Sequence, residues 1–135
     1  MKEAVIVSTA RTGMGKSFRG ALNDTEAPAM GGHAVKAAVE KAGIDPASVE
    51  DVIMGAAAQQ GTQGYNLGRL CSVAAGLPDT TAGMTIDRQC SSGLMTIAWA
   101  AKSIMCDEMD VAVAGGLESI SLVQTKHKNT YRNVS

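Results

Sequence analysis

Asp87-Arg88-Gln89-Cys90-Ser91-Ser92-Gly93-Leu94 joins two stretches of opposite character. Before it, Ala82-Gly83-Met84-Thr85-Ile86-Asp87 reads as a short buried strand. After it, Leu94 to Met105 has only Thr96, Lys102 and Ser103 as polar residues and reads as a helix. Cys90 therefore sits at a strand-to-helix bend. There it faces the unpaired amide donors and the positive end of the helix dipole. Both favour the thiolate, the reactive form of cysteine, and make Cys90 a candidate nucleophile toward an acyl group.

Working outward, Glu3 to Thr9 has a dense apolar centre, Ala4-Val5-Ile6-Val7, and reads as a central strand of a parallel sheet. A Gly-rich polar connection follows. Met30, Ala34, Ala37, Ala38 and Ala42 recur at helical spacing opposite His33, Lys36 and Glu40. Pro28 to Lys41 is thus an amphipathic helix, with Pro28 suited to its first turn and Gly43 to its stop. Asp45 to Ser48 is a turn with one helical turn inside it. Val52 to Ala58 is a second strand, Gln59 to Tyr65 a polar loop, and Asn66 to Ala75 a helix with Leu67, Leu70, Cys71 and Ala74 on one stripe. Asp110 to Ala114 is a fourth strand, ended by Gly115-Gly116. Such alternation predicts an α/β fold of parallel strands with right-handed crossovers. The third helix, apolar nearly all round, is expected to be buried on most of its surface, with a second sheet or another subunit covering what one sheet cannot.

Composition bounds the function. Within 135 residues, 12 basic and 13 acidic side chains give a formal charge of -1, which points to neither a nucleic-acid nor an anionic-membrane partner. No apolar run is long enough to span a bilayer, and the N-terminus does not read as a signal peptide, so a cytoplasmic location is expected. The three cysteines, Cys71, Cys90 and Cys106, match no zinc or Cys-x-x-Cys spacing and no disulfide framework. Cys71 and Cys106 read as structural. Trp99 reads as core, His33 as a solvated histidine, and Gly115-Gly116 as a point of close backbone approach to the loop bearing Cys90. Asp87 and Arg88 are read as an ion pair or an anchor for the strand end.

Four segments together resemble the thiolase family, the acetyl-CoA acetyltransferases and 3-ketoacyl-CoA thiolases. They are Ala4 to Thr12, Gly61 to Arg69, Asp87 to Leu94 and Val113 to Ser121. The resemblance spans the chain. It implies an incomplete first half of a layered αβαβα architecture, with residues 1–121 as most of the N-terminal catalytic half and 122–135 as the start of a loop domain. It also implies that Cys90 is the acyl-accepting nucleophile, with its own backbone amide in an oxyanion pocket. Acyl-CoA and coenzyme A enter as substrates, with no metal or redox cofactor, and the complete enzyme is a homodimer or homotetramer whose strand before Cys90 pairs with its twofold mate. The family's second-half motifs, Gly-His-Pro and Cys-x-Gly, do not occur here, so the chain resembles an N-terminal fragment and is expected to show no turnover by itself. A 3-ketoacyl synthase-like condensing enzyme, a non-catalytic acyl-CoA-binding scaffold and a cysteine redox sensor are the competing readings.

Overall fold

The structure, a computed structural model, describes residues 2–124. Lys126, His127 and Lys128, and with them most of the 122–135 segment, lie outside the described residues. The elements run α1 (Ala27–Ala42), β1 (Asp51–Gly55), α2 (Leu67–Ala74), β2 (Ala82–Ile86), α3 (Ser92–Met105), β3 (Ala112–Gly116) and a short α4 (Ile120–Val123), with single 3₁₀ turns at Pro46–Ser48 and Gly61–Gln63. The caps follow the chemistry of their residues. Pro28 lies in the first turn of α1, and Gly43 closes it in the left-handed conformation at φ 66°. The Asn66 side chain accepts the Arg69 amide at the start of α2.

The three strands form one parallel sheet in the order β2-β1-β3, with Val52 opposite Gly83 on one side and Val113 on the other. The chain steps from β1 outward to β2 through α2, then back across β1 to β3 through α3. Right-handed crossovers in opposite directions place their helices on opposite faces of a sheet. Accordingly α1 and α2 pack together on one face, while α3 packs alone on the other, against β1 and β3. The main core lies on the α1/α2 side and centres on Val35, Val39, Val52, Met54, Leu67 and Cys71.

Small residues set how closely these layers approach. A methyl group on Gly68 would lie 2.5 Å from the Val52 carbonyl oxygen and 2.7 Å from the Met84 amide nitrogen; one on Gly83 would lie 2.7 Å from the Gly68 carbonyl carbon. The first turn of α2 therefore rests directly on the sheet backbone.

Besides β2, which is half-buried rather than buried, the structure departs from the sequence reading in three places. Glu3 to Thr9 forms no strand: Val5, Ile6 and Val7 are 69%, 77% and 72% exposed. Among the described residues no backbone hydrogen bond joins this segment to another. Its composition favours a strand, but none of the strands among the described residues pairs with it. Second, α3 is not buried on most of its surface. Thr96, Ala100 and Ser103 are buried, whereas Leu94 is 72% and Trp99 43% exposed, so Trp99 is not core. The sheet takes the small and polar side of α3 and leaves the bulky apolar side uncovered. Third, Gly115 and Gly116 are ladder residues within β3, and α4 follows where no helix was expected.

Replacing Gly68 with alanine is expected to cost about 1–3 kcal/mol, the range for overpacking a close contact. Gly13, with nothing within 4 Å and no positive φ, is the control, and Gly13→Ala should stay within about 0.5 kcal/mol. Urea unfolding of the two variants checks this, and equal midpoints would contradict the close-packed layer.

Candidate active site

The bend after β2 is built by its own side chains. Gln89 has φ 50°, a left-handed conformation that costs energy in a non-glycine residue. Asp87 holds it there, its Oδ1 accepting the Gln89 amide at 2.8 Å. Ser92 does the same from the other side: its hydroxyl accepts the Arg88 amide at 2.8 Å and donates to the Gln89 carbonyl at 2.6 Å. The Ser91 hydroxyl donates to the Arg88 carbonyl at 2.8 Å. Asp87 thus anchors the strand end through backbone, and among the described residues it forms no ion pair with Arg88. Cys90 is the next residue after the strained Gln89, two before α3, and it is exposed.

The position of α3 is fixed by backbone contact. A methyl on Gly55, the last residue of β1, would come within 2.5 Å of the Ser92 carbonyl carbon and 2.6 Å of the Gly93 nitrogen. One on Gly116 would lie 3.0 Å from the Gly55 oxygen and 3.1 Å from the Gly93 Cα. Thr96 then shares its hydroxyl hydrogen between Gly93 O at 2.8 Å and Gly115 O at 2.9 Å. The expected close approach of Gly115-Gly116 to the Cys90 region is therefore made, through the first turn of α3. A hollow of about 200 Å³ opens beside the bend, lined by Met84, Ile86, Asp87, Arg88, Met95 and Trp99.

The other cysteines differ in kind. Cys71 is fully buried on α2, and burial pushes its thiol up to about 12. Cys106 is exposed at the C-cap of α3, where carbonyls rather than amides face the end of the helix. His33 is exposed on α1, beside the surface pair of Lys36 and Glu40 at 3.8 Å.

One arrangement escaped the sequence reading. The Glu118 carboxylate accepts the amides of Ala57 at 2.9 Å and Ala58 at 3.1 Å and the side-chain amide of Gln63 at 2.5 Å. Gln63 is fully buried, and its own oxygen accepts the Ser119 amide. This clamp ties the loop after β1 to the segment after β3. Its two side chains, Gln63 and Glu118, lie in two of the segments that carry the family resemblance, but only the three-dimensional structure shows that they pair. Among the described residues, no three His, Cys, Asp or Glu side chains are grouped to hold a metal ion, and no helix is long and apolar enough to cross a membrane.

The model of the thiolase N-terminal domain matches residues 4–135. The chain belongs to the thiolase family. It is 45% identical over 123 residues to a 3-ketoacyl-CoA thiolase of Bacillus subtilis, covering 91% of this chain and 32% of that protein. It is 41% identical over 136 residues to an acetyl-CoA acetyltransferase of Escherichia coli, covering 98% and 34%. A mitochondrial acetyl-CoA acetyltransferase of Danio rerio is 44% identical over 123 residues, covering 91% and 29%. The chain thus spans about a third of the length of these relatives.

Iodoacetamide on the folded chain is expected to modify Cys90 fastest, then Cys106, and to leave Cys71 unmodified until the protein unfolds; peptide mass mapping reads this order. Because the Cys71 thiol is raised above its usual 9.0 only in the folded state, the unfolded chain loses that proton first as pH rises. The Cys71 contribution to stability is then constant below pH 9 and falls between about pH 9 and 12, by at most about 1.4 kcal/mol per pH unit. Cys71→Ala should remove that part of the slope, and an unchanged slope would contradict it.

Proposed function

We propose that this chain is the nucleophile-bearing part of an acyl-CoA C-acyltransferase, and that Cys90 carries the acyl group between thioesters. The observation that supports this most is the contrast among the three thiols. The one at the strand-to-helix bend is exposed and held by a strained, over-determined turn, while Cys71 is sealed in the core.

In the proposed reaction the Cys90 thiolate attacks the carbonyl carbon of an acyl-CoA or 3-ketoacyl-CoA. A bond forms between that carbon and the Cys90 sulfur. The tetrahedral oxyanion is held in a pocket to which the Cys90 backbone amide contributes. Its collapse expels either the coenzyme A thiolate or, from a 3-ketoacyl-CoA, the enolate of acetyl-CoA, each of which takes up one proton. Transfer of the acyl group from Cys90 to coenzyme A or to an acetyl-CoA enolate then regenerates the thiolate. Coenzyme A is a substrate throughout, and this scheme assigns no metal or redox step. The relatives named thiolase and acetyltransferase favour this reading over the condensing-enzyme and scaffold readings. β2 is an outer strand of the sheet, which leaves its edge open for pairing with a twofold mate in a homodimer or homotetramer.

Incubation with acetyl-CoA is expected to place one acetyl group on Cys90, detectable by peptide mass, and Cys90→Ser should abolish it. The chain alone should show no turnover in thiolysis of acetoacetyl-CoA. Acetylation spread evenly over Cys106 and surface lysines would contradict the proposal, and so would sustained thiolysis by the Cys90→Ser variant.

A further inference from the structure

Three N–H donors converge on one point in the loop after β1. The successive backbone amides of Ala57 and Ala58 donate to Oε2 and Oε1 of Glu118 at 2.9 and 3.1 Å, and the Gln63 side-chain amide donates to Oε1 at 2.5 Å. Gln63 is fully buried and fixed at both ends. Its nitrogen also donates to the Ala58 carbonyl at 2.9 Å, and its oxygen accepts the Ser119 amide. Among the described residues no lysine or arginine pairs with Glu118, so N–H dipoles alone meet its carboxylate. Adjacent backbone amides aimed at one spot form a concavity that selects an anion. This one suits a carboxylate, with a donor for each oxygen.

The frame of the bend rests on this cradle. Cys90 is strung between two anchors, Ile86 at the end of β2 and Ser92-Gly93 at the start of α3. Both lean on Gly55 and Ala56. The Ala56 amide donates to the Ile86 carbonyl at 3.1 Å, and Gly55 meets Ser92 and Gly93 backbone to backbone. Gly55 and Ala56 are held in turn from the other side. The Gly55 carbonyl accepts the Leu117 amide at 3.0 Å, and the two amides that follow Ala56 are those that close on Glu118. Glu118 stands two residues after Gly116, which also abuts Gly93. One carboxylate thus closes a ring of contacts that sets the separation of the two anchors. Gln89 lies between them at φ 50°, so a change in that separation falls on an already strained bend.

We propose that the Ala57, Ala58 and Gln63 donors form a carboxylate site, that the Glu118 side chain is its resident ligand, and that occupancy of this site positions Cys90. Glu118 is then a positioning residue, acting through Gly55 and Ala56. An emptied cradle leaves the Ala57 and Ala58 amides without their charged acceptor, and the loop rearranges to satisfy them. The consequence for acyl transfer rests on the reading of Cys90 as nucleophile; the cradle itself does not.

The test uses the 135-residue chain and its Glu118→Ala and Glu118→Gln variants. Glu118→Ala removes a CH2–COO⁻ group, which acetate can replace. Each protein is compared in sodium acetate and in sodium chloride at equal ionic strength. Amide exchange of residues 89–97 and iodoacetamide modification of Cys90 are followed by mass spectrometry, with Cys106 as the reference thiol. In chloride, Glu118→Ala should exchange at residues 89–97 about tenfold faster or more than the unchanged chain, and the Cys90 rate should change by a similar factor while Cys106 holds. Acetate should bring both readings back to within about threefold of the unchanged chain, which itself does not respond because its cradle is filled. Glu118→Gln should fall between the two: its one oxygen can serve Ala58 and Gln63, but its NH2 then faces the Ala57 amide. If Glu118→Ala unfolds in chloride, acetate should refold it, and Glu118→Gln carries the Cys90 comparison. The proposal is overturned if acetate and chloride act alike on Glu118→Ala, or if Glu118→Gln matches the unchanged chain at Cys90. Failure of acetyl-CoA to acetylate Cys90 in the unchanged chain would instead count against the proposed function, and the exchange and alkylation readings would still judge the cradle.

Discussion

The ends of β1 and β3 touch the first turn of α3 backbone to backbone, and the placement of Cys90 depends on that contact. Gly55 and Gly116 leave no side chain between strand and helix, so the helix start is set by atoms that cannot change rotamer. Thr96 adds a shared hydrogen bond to the carbonyls of Gly93 and Gly115. With the helix start fixed, the segment from Ile86 to Cys90 must turn within a short distance. The cost of that turn appears at Gln89, in a backbone region that non-glycine residues seldom enter. Asp87 and Ser92 stabilise it locally with short hydrogen bonds. The result is a thiol held out at a bend rather than folded into the core.

A second constraint ties the loops at this end of the sheet together. The Glu118 carboxylate gathers two backbone amides and the Gln63 side chain. Hydrogen bonds to a charged acceptor are stronger than neutral ones, and leaving such donors unpaired is costly. Glu118 thereby locks the loop after β1 to the segment that continues from Gly116. Both strands that seat α3 are thus held at their carboxyl ends, where open α/β sheets carry their sites.

Much of this was legible in the sequence because it is local. The stop at Gly43, the helix beginning near Asn66, the alternation of elements and the bend at Cys90 follow from residues close to one another in the chain. What failed to read correctly depends on long-range partners. Val5-Ile6-Val7 has strand composition, but a strand is defined by its neighbour, and none among the described residues is paired to it. The apolar character of α3 predicts burial without saying against what; the sheet takes Thr96 and Ser103, and Trp99 stays exposed. Gly115 and Gly116 resemble a terminator but serve as ladder residues where a helix must come close. Glu118 and Gln63 lie 55 positions apart, and no periodicity links them.

The most direct test of this account is the rate of iodoacetamide modification at Cys90 in Gly55→Ala, compared with the unchanged chain and with Cys106 as the internal reference. The added methyl must push the first turn of α3 away from β1. If backbone contact sets the bend, the Cys90 rate should change by about tenfold or more while the Cys106 rate holds and circular dichroism shows the chain still folded. An unaltered Cys90 rate in the folded variant would contradict it.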